Sequence, residues 1–221
     1  LPFHQFLRQQ VLEHGRVPLW NPHLFFGYPW LGAIQAGPLY PPSWLLALAL
    51  PVPVALSWNV ALHFALAAAA MYAFARMGLA VRPAAAVAAA AVYAFNGHMV
   101  GNLGQLHNHA TLAWVPLVLL AIRRIVTAPC AGSARRAVGL GSLALGLSWL
   151  GGMAQQALYV GVLEALYALA LLRERARSSP TPGAWADAAA RLLAMVLLAC
   201  AMFAPQAWAT ANLLAESARS D

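Results

Sequence analysis

The chain has 221 residues, of which 62% are hydrophobic and only 9% charged, with a formal net charge of +7. Soluble domains carry about 25% charged residues, so this balance excludes one and marks an integral membrane protein. The positive charge is all arginine and sits in short loops beside apolar runs, where it sets topology; nucleic acid is thereby excluded as a partner and the lipid bilayer takes its place.

The first element is amphipathic. In LPFHQFLRQQVLEH (1–14), Phe3, Phe6, Leu7 and Val11 recur at helical spacing, while Gln5, Arg8, Gln9 and Glu13 take the opposite side. This pattern predicts a helix lying in the membrane interface and stopped at Gly15. The stretch 15–44 holds six prolines and seven aromatic residues, too punctuated for helix or regular hairpin. Its Trp and Tyr favour the headgroup zone, so residues 1–54 read as an extracytoplasmic loop resting on the outer surface.

Residues 55–221 read as an all-α polytopic transmembrane bundle with about six spans, part of a larger membrane domain. The predicted spans are Ala55–Ala75, Ala84–Val100, Thr111–Ile122, Ala137–Leu150, Ala157–Leu172 and Leu192–Trp208. Between them, 97–110 is expected as an outer loop, 151–156 as an outer turn and 173–183 as the one candidate disordered linker. Ten of the thirteen arginines (76, 82, 123, 124, 135, 136, 173, 175, 177 and 191) cluster at alternate turns, while His4, His14, His23, His63, His98, His107 and His109 fall in or beside the intervening segments. Cytoplasmic loops hold the excess of Arg, so the histidines face outward. Cys130 and Cys200 fall in an inner loop and an apolar run, which indicates no disulfide framework.

The outer segments collect amides and imidazoles, groups that bind a hydroxylated or phosphorylated ligand without a large fixed charge. Asn21, Gln35, His98, Asn102, Gln105, His107, His109, Gln155 and Gln156 are the candidate binding residues. His107 and His109, with His98, could hold a divalent metal ion, the one cofactor left open. Their irregular spacing and the lack of nearby acids favour hydrogen bonding or phosphate contact. Outside, Glu13 is the only acid before Glu216, and Arg8, Arg16 and Arg219 are the only arginines; these three are candidates for gripping a phosphate. Glu164 is the only carboxylate well inside a span, where burying charge is expensive and a functional role is the default.

Four motifs carry a family resemblance: GRVPLWNPHLFFGYPWLGAIQAGPLYPP (15–42), YAFNGHMVGNLGQLHNHATLAWVPL (93–117), SWLGGMAQQALY (148–159) and APQAWATANLLAESAR (204–219). In order, they resemble the bacterial YfhO-like membrane proteins, which belong with polytopic glycosyltransferases of the GT-C type. The resemblance implies transfer of a sugar from a polyprenyl-phosphate carrier to a cell-envelope acceptor at the outer face of the bacterial plasma membrane. It implies a catalytic Asp in the first outer loop, placed by the motif register just before Leu1, so that the chain is expected to be a piece lacking its first helix. Glu13 is the substitute acid within these residues. The resemblance points to Arg16, His98, His107 and His109 for the phosphate, and to Trp20, Asn21, Gln35 and Tyr40 for the sugar pocket. Two other readings stay open on the residues alone: a polytopic transporter, built around broken helices and Glu164, and a noncatalytic membrane scaffold whose aromatic outer loop binds a partner.

Overall fold

The structure is a computed structural model that describes residues 2–23, 26–178 and 183–215. Among these, every regular element is helical, and the only β-type contact is one antiparallel bridge between Asn21 and Tyr28. In chain order the helices are α1 (Pro2–Leu12), α2 (Pro41–Ala49), α3 (Val52–Ala73), α4 (Pro83–Ala94), α5 (Gly97–Gly101), α6 (Leu106–Leu112), α7 (Val115–Val126), α8 (Ala131–Leu150), α9 (Ala154–Ser178) and α10 (Ala184–Ala215). The architecture is thus an all-α polytopic bundle, as the hydropathy pattern predicts. Among the described residues, five stretches are long and apolar enough to cross a membrane: Val52–Gly78, Pro83–Gly101, Leu106–Val126, Ala154–Ser178 and Ala184–Ala215.

The remaining predicted span, Ala137–Leu150, lies in α8, whose apolar part is short because Gly132, Ser133, Arg135 and Arg136 fill its first turns. It survives by packing against protein rather than lipid. Its buried face includes Gly141, Ala144, Gly146 and Ser148, and it packs between α7 and α10. A Cβ on Gly141 would lie 2.8 Å from that of Ala121, and one on Gly146 would lie 3.0 Å from Met202. Small residues let helix backbones approach closely where no hydrophobic effect drives association. This helix, with Val118, Ile122 and Ile125 of α7 and Leu192, Met195 and Ala199 of α10, forms the largest buried cluster.

Prolines in the first turn start α2, α3, α4 and α7, where the missing N–H costs nothing. Consecutive long helices pack as antiparallel hairpins, α3 with α4, α7 with α8, and α9 with α10. The ten clustered arginines therefore gather at one end and the histidine-bearing segments at the other. Several spans extend beyond their predicted bounds. The first continues past Ala73 as a wide π-type turn over Phe74–Gly78, closed by Arg76 donating to the Val81 carbonyl at 2.6 Å. Helix α9 carries Arg173, Arg175 and Arg177 within it; of the candidate linker, residues 179–182 lie outside the described residues. At 32 residues, α10 is about 48 Å long and overshoots the hydrocarbon core.

The expected outer loop 97–110 is instead largely helical, as α5 and α6. Asn96 explains the first: its side-chain oxygen accepts from the backbone N–H groups of His98 and Met99, a helix N-cap that restarts the chain after α4 ends. The apolar face of α1 finds its partner within the chain, where Phe6 and Leu7 are buried with Trp30 and Ala47.

Candidate functional site

At the histidine-bearing end, α1, the loop 28–40, α2, α3 and α6 enclose a cleft of about 260 Å³. Its polar lining comes from His4, Tyr28, Gln35, Tyr40, Ser43 and His107, with Phe3, Leu56, Leu106 and Ala110 as apolar walls. No carboxylate lines it. Two adjacent glycines shape the floor. A Cβ on Gly151 would lie 2.7 Å from the Thr111 nitrogen and 2.8 Å from the Ala110 carbonyl carbon, so α8 can end against the α6 backbone only with glycine there. Gly152, at φ +99°, brings the chain against the Ile34 carbonyl in a conformation that L side chains rarely adopt.

A chain of hydrogen bonds fixes the wall of the cleft, and its directions are mutually consistent. His63 Nδ1 lies 2.7 Å from the Asn59 carbonyl, which can only accept, so the ring proton sits on Nδ1. His63 Nε2 then accepts from the Tyr40 hydroxyl at 2.7 Å, and that hydroxyl accepts from Trp114 Nε1 at 2.9 Å. Asn59 Nδ2 donates to Ser43 Oγ at 2.9 Å. The loop is thereby tied to α3 and α7 through Tyr40, which is 1% exposed. Burial pushes the Tyr40 hydroxyl well above its usual pKa, so it stays a donor at every physiological pH. From the other side, Gln206 of α10 donates to the Leu31 carbonyl at 2.9 Å and Thr210 to the Gly32 carbonyl at 3.1 Å.

Of the residues singled out by sequence, Gln35, Tyr40 and His107 line this cleft. His109 does not share it with His107. Two positions along a helix point about 200° apart at 3.6 residues per turn. His109 is fully buried, its Nε2 2.8 Å from the Met99 carbonyl and its Nδ1 3.2 Å from the Gln105 carbonyl, with its ring against Phe64. Both ring nitrogens are aimed at backbone carbonyls in a fully buried position, so neither is open to a metal, and the His107–His109 pair is removed as joint ligands. No group of three His, Cys, Asp or Glu able to hold a metal occurs among the described residues.

The remaining candidates serve other ends. Asn21 is buried, exchanges two backbone hydrogen bonds with Tyr28, and accepts from the His23 N–H at 2.9 Å, so it holds a turn. Trp20 and Arg16 are exposed and outside the cleft. Asn102 donates to the His98 carbonyl, and Gln105 Oε1 accepts from Asn108, so both hold the α5–α6 corner. On an outer rim, Gln156 donates to His98 Nε2 at 3.1 Å and Gln155 to the Tyr159 hydroxyl. Glu13 is exposed and lines a separate recess with Gln5, Arg8 and Gln9, apart from the cleft. Arg8 is no phosphate grip: its Nη1 donates to the carbonyls of Ala47, Leu48 and Leu50 at 2.8, 2.9 and 2.8 Å, capping the end of α2. Arg219 lies outside the described residues.

His4, marked by sequence only as one of the outward histidines, and Tyr28 and Ser43, which carried no signal, belong to the cleft because the folding of α1 and α2 over α3 and α6 brings them there. Burial lowers the His4 pKa. Glu164 sits in α9 at 6% exposure with one carboxylate oxygen lacking a hydrogen-bond partner, as does the Tyr167 hydroxyl one turn on.

Beside the cleft, Ile34 also borders an apolar groove of about 500 Å³ formed by Trp149, Leu158, Gly161, Val162 and Phe203 of α8, α9 and α10. Its neighbour in sequence, Gln35, lines the polar cleft. Comparison of the chain with protein-family models, curated proteins and solved structures finds no match, so the resemblance to YfhO-like proteins stands on its four sequence motifs.

Proposed function

We propose that this chain forms the sugar-binding end of a membrane transferase that takes a sugar from a polyprenyl-phosphate carrier and passes it to a cell-envelope acceptor outside the bacterial plasma membrane. One observation carries the reading: the consecutive residues Ile34 and Gln35 line an apolar groove and a cleft of hydrogen-bonding groups respectively. A lipid-linked sugar needs this combination, since its hydroxyls want amides and hydroxyls while its isoprenoid tail wants an apolar channel.

In the step proposed, the acceptor oxygen attacks the anomeric carbon, the bond from that carbon to the phosphate oxygen breaks, and polyprenyl phosphate leaves with the electron pair. The acceptor proton goes to a base. Within the cleft the titratable bases are His4 and His107, and His107 projects into it from α6 with no hydrogen bond to another described residue. Gln35, Tyr28 and Ser43 orient the sugar.

The test is transfer by the protein in vesicles supplied with a polyprenyl-phosphate sugar and an oligosaccharide acceptor. Wild type is expected to form product and His107→Ala to form none above background while remaining folded. Equal turnover by the two would remove His107 from the reaction. Transport is a second reading with one observation in its favour, the unpartnered Glu164 oxygen inside α9. Glu164→Gln should leave sugar transfer intact if the transferase reading holds.

A further inference from the structure

A second groove, at the arginine end, has a chemistry that the transferase reading does not use. It holds about 580 Å³ and runs between α7 and α8, from Trp114 to Arg124 and Arg136. The ten-residue offset from Trp114 to Arg124 corresponds to about 15 Å of helix rise. Leu117, Leu140 and Leu143 form its walls, and Leu140 and Leu143 are 69% and 47% exposed, so it opens sideways toward the bilayer. Its mouth is basic: two guanidinium groups with Ser133 beside them, and no carboxylate in the lining. Among the described residues the one ion pair is Arg191 with Asp187, which leaves Arg124 and Arg136 without an acidic partner.

We propose that this groove is a binding site for an anionic phospholipid, with the phosphodiester between Arg124 and Arg136 and one acyl chain along α7 and α8 toward Trp114. Charge selects the occupant. A second copy of the chain would bring its own arginine cluster against these two, whereas an inner-leaflet anionic lipid brings a phosphate and a tail already at the right depth. Guanidinium pairs match phosphate oxygens in geometry.

Native mass spectrometry tests this on protein in micelles holding equimolar phosphatidylglycerol and phosphatidylcholine. Wild type should retain phosphatidylglycerol with a preference on the order of tenfold to thirtyfold, the scale expected for two arginines near an anionic headgroup. The double variant R124Q/R136Q should lose the preference, while R173Q/R177Q, which removes the same charge at the same end on α9, should keep it. If the first double variant fails to fold, Leu140→Trp fills the groove and spares both arginines, and it should lose the retained lipid. Equal retention of the two lipids by wild type would overturn the proposal. So would equal loss in the two double variants, or a dimer that excludes lipid and is dispersed by Leu140→Trp.

Discussion

Tyr40→Phe isolates the hydrogen-bonded wall of the cleft with the smallest possible change. The substitution keeps the ring, which is buried against Ala110, Leu147 and Leu150, and deletes only the hydroxyl. Trp114 Nε1 then loses its acceptor at 2.9 Å and His63 Nε2 loses its donor at 2.7 Å. A buried orphan costs about 1–3 kcal/mol in soluble proteins, whereas polar contacts between membrane helices average about 0.6 kcal/mol and reach about 1.7. Two orphans at this packed end therefore predict a loss of about 1–4 kcal/mol. Equilibrium unfolding in mixed micelles titrated with a denaturing detergent measures it. Trp114→Phe completes a double-mutant cycle, and the pair should couple by about 0.5–1.5 kcal/mol, because once the hydroxyl is gone the indole N–H has nothing left to lose. A Tyr40→Phe protein within about 0.5 kcal/mol of wild type, together with an additive cycle, would show that the hydroxyl does not bridge the two side chains, and the reasoning would fail.

The glycine floor makes a paired prediction. Gly151→Ala drives a Cβ to 2.7 Å from backbone, so it should cost about 1–3 kcal/mol and weaken sugar-lipid binding, whereas Gly161→Ala meets nothing within 4 Å and should be neutral or slightly stabilising in a denaturation series. His4 predicts a pH dependence. Its folded pKa is lowered by burial, so the unfolded chain takes up the proton first; stability is full above the unfolded value near 6.5 and falls as pH drops below it, and His4→Gln should flatten that slope in pH-resolved unfolding. Orientation is testable with thiol probes. Gly104 has open space around it, so Gly104→Cys should label with a membrane-impermeant maleimide in intact cells, while Cys130 labels only after permeabilisation. Hydrogen bonding with Ser133 lowers the Cys130 thiol pKa, so labelling should then be fast. Labelling of Cys130 in intact cells would invert the topology.

The long apolar helices were legible because hydropathy and arginine placement are local properties, read within a window of some twenty residues, whereas the short helices α2, α5 and α6 were not. Even α8 was found, although its apolar part is short, since Arg135 and Arg136 marked its start. The break at Asn96 was misread as the start of a loop because a single cap restarts the helix there. The site was legible only in outline. Polar residues at the outer ends were visible, yet their individual duties depend on partners far along the chain: Arg8 bonds carbonyls about 40 positions away, and Gln206 bonds one 175 positions away. His107 and His109 looked like one unit in sequence and separate as soon as α6 is helical. Asn21 had the composition of a binding residue but is consumed by its own turn. The resemblance points to Tyr40 for a sugar pocket; it lines the cleft, and its hydroxyl also joins the frame.

Sugar transfer by the cleft around His107, as proposed, is tested most directly by incorporation of a labelled sugar into envelope glycan in cells whose own copy of the gene carries His107→Ala. A general base is worth about 10²–10⁴ in rate. Incorporation should fall at least about a hundredfold with wild-type amounts of the protein in the membrane, and undiminished incorporation would remove His107 from the reaction.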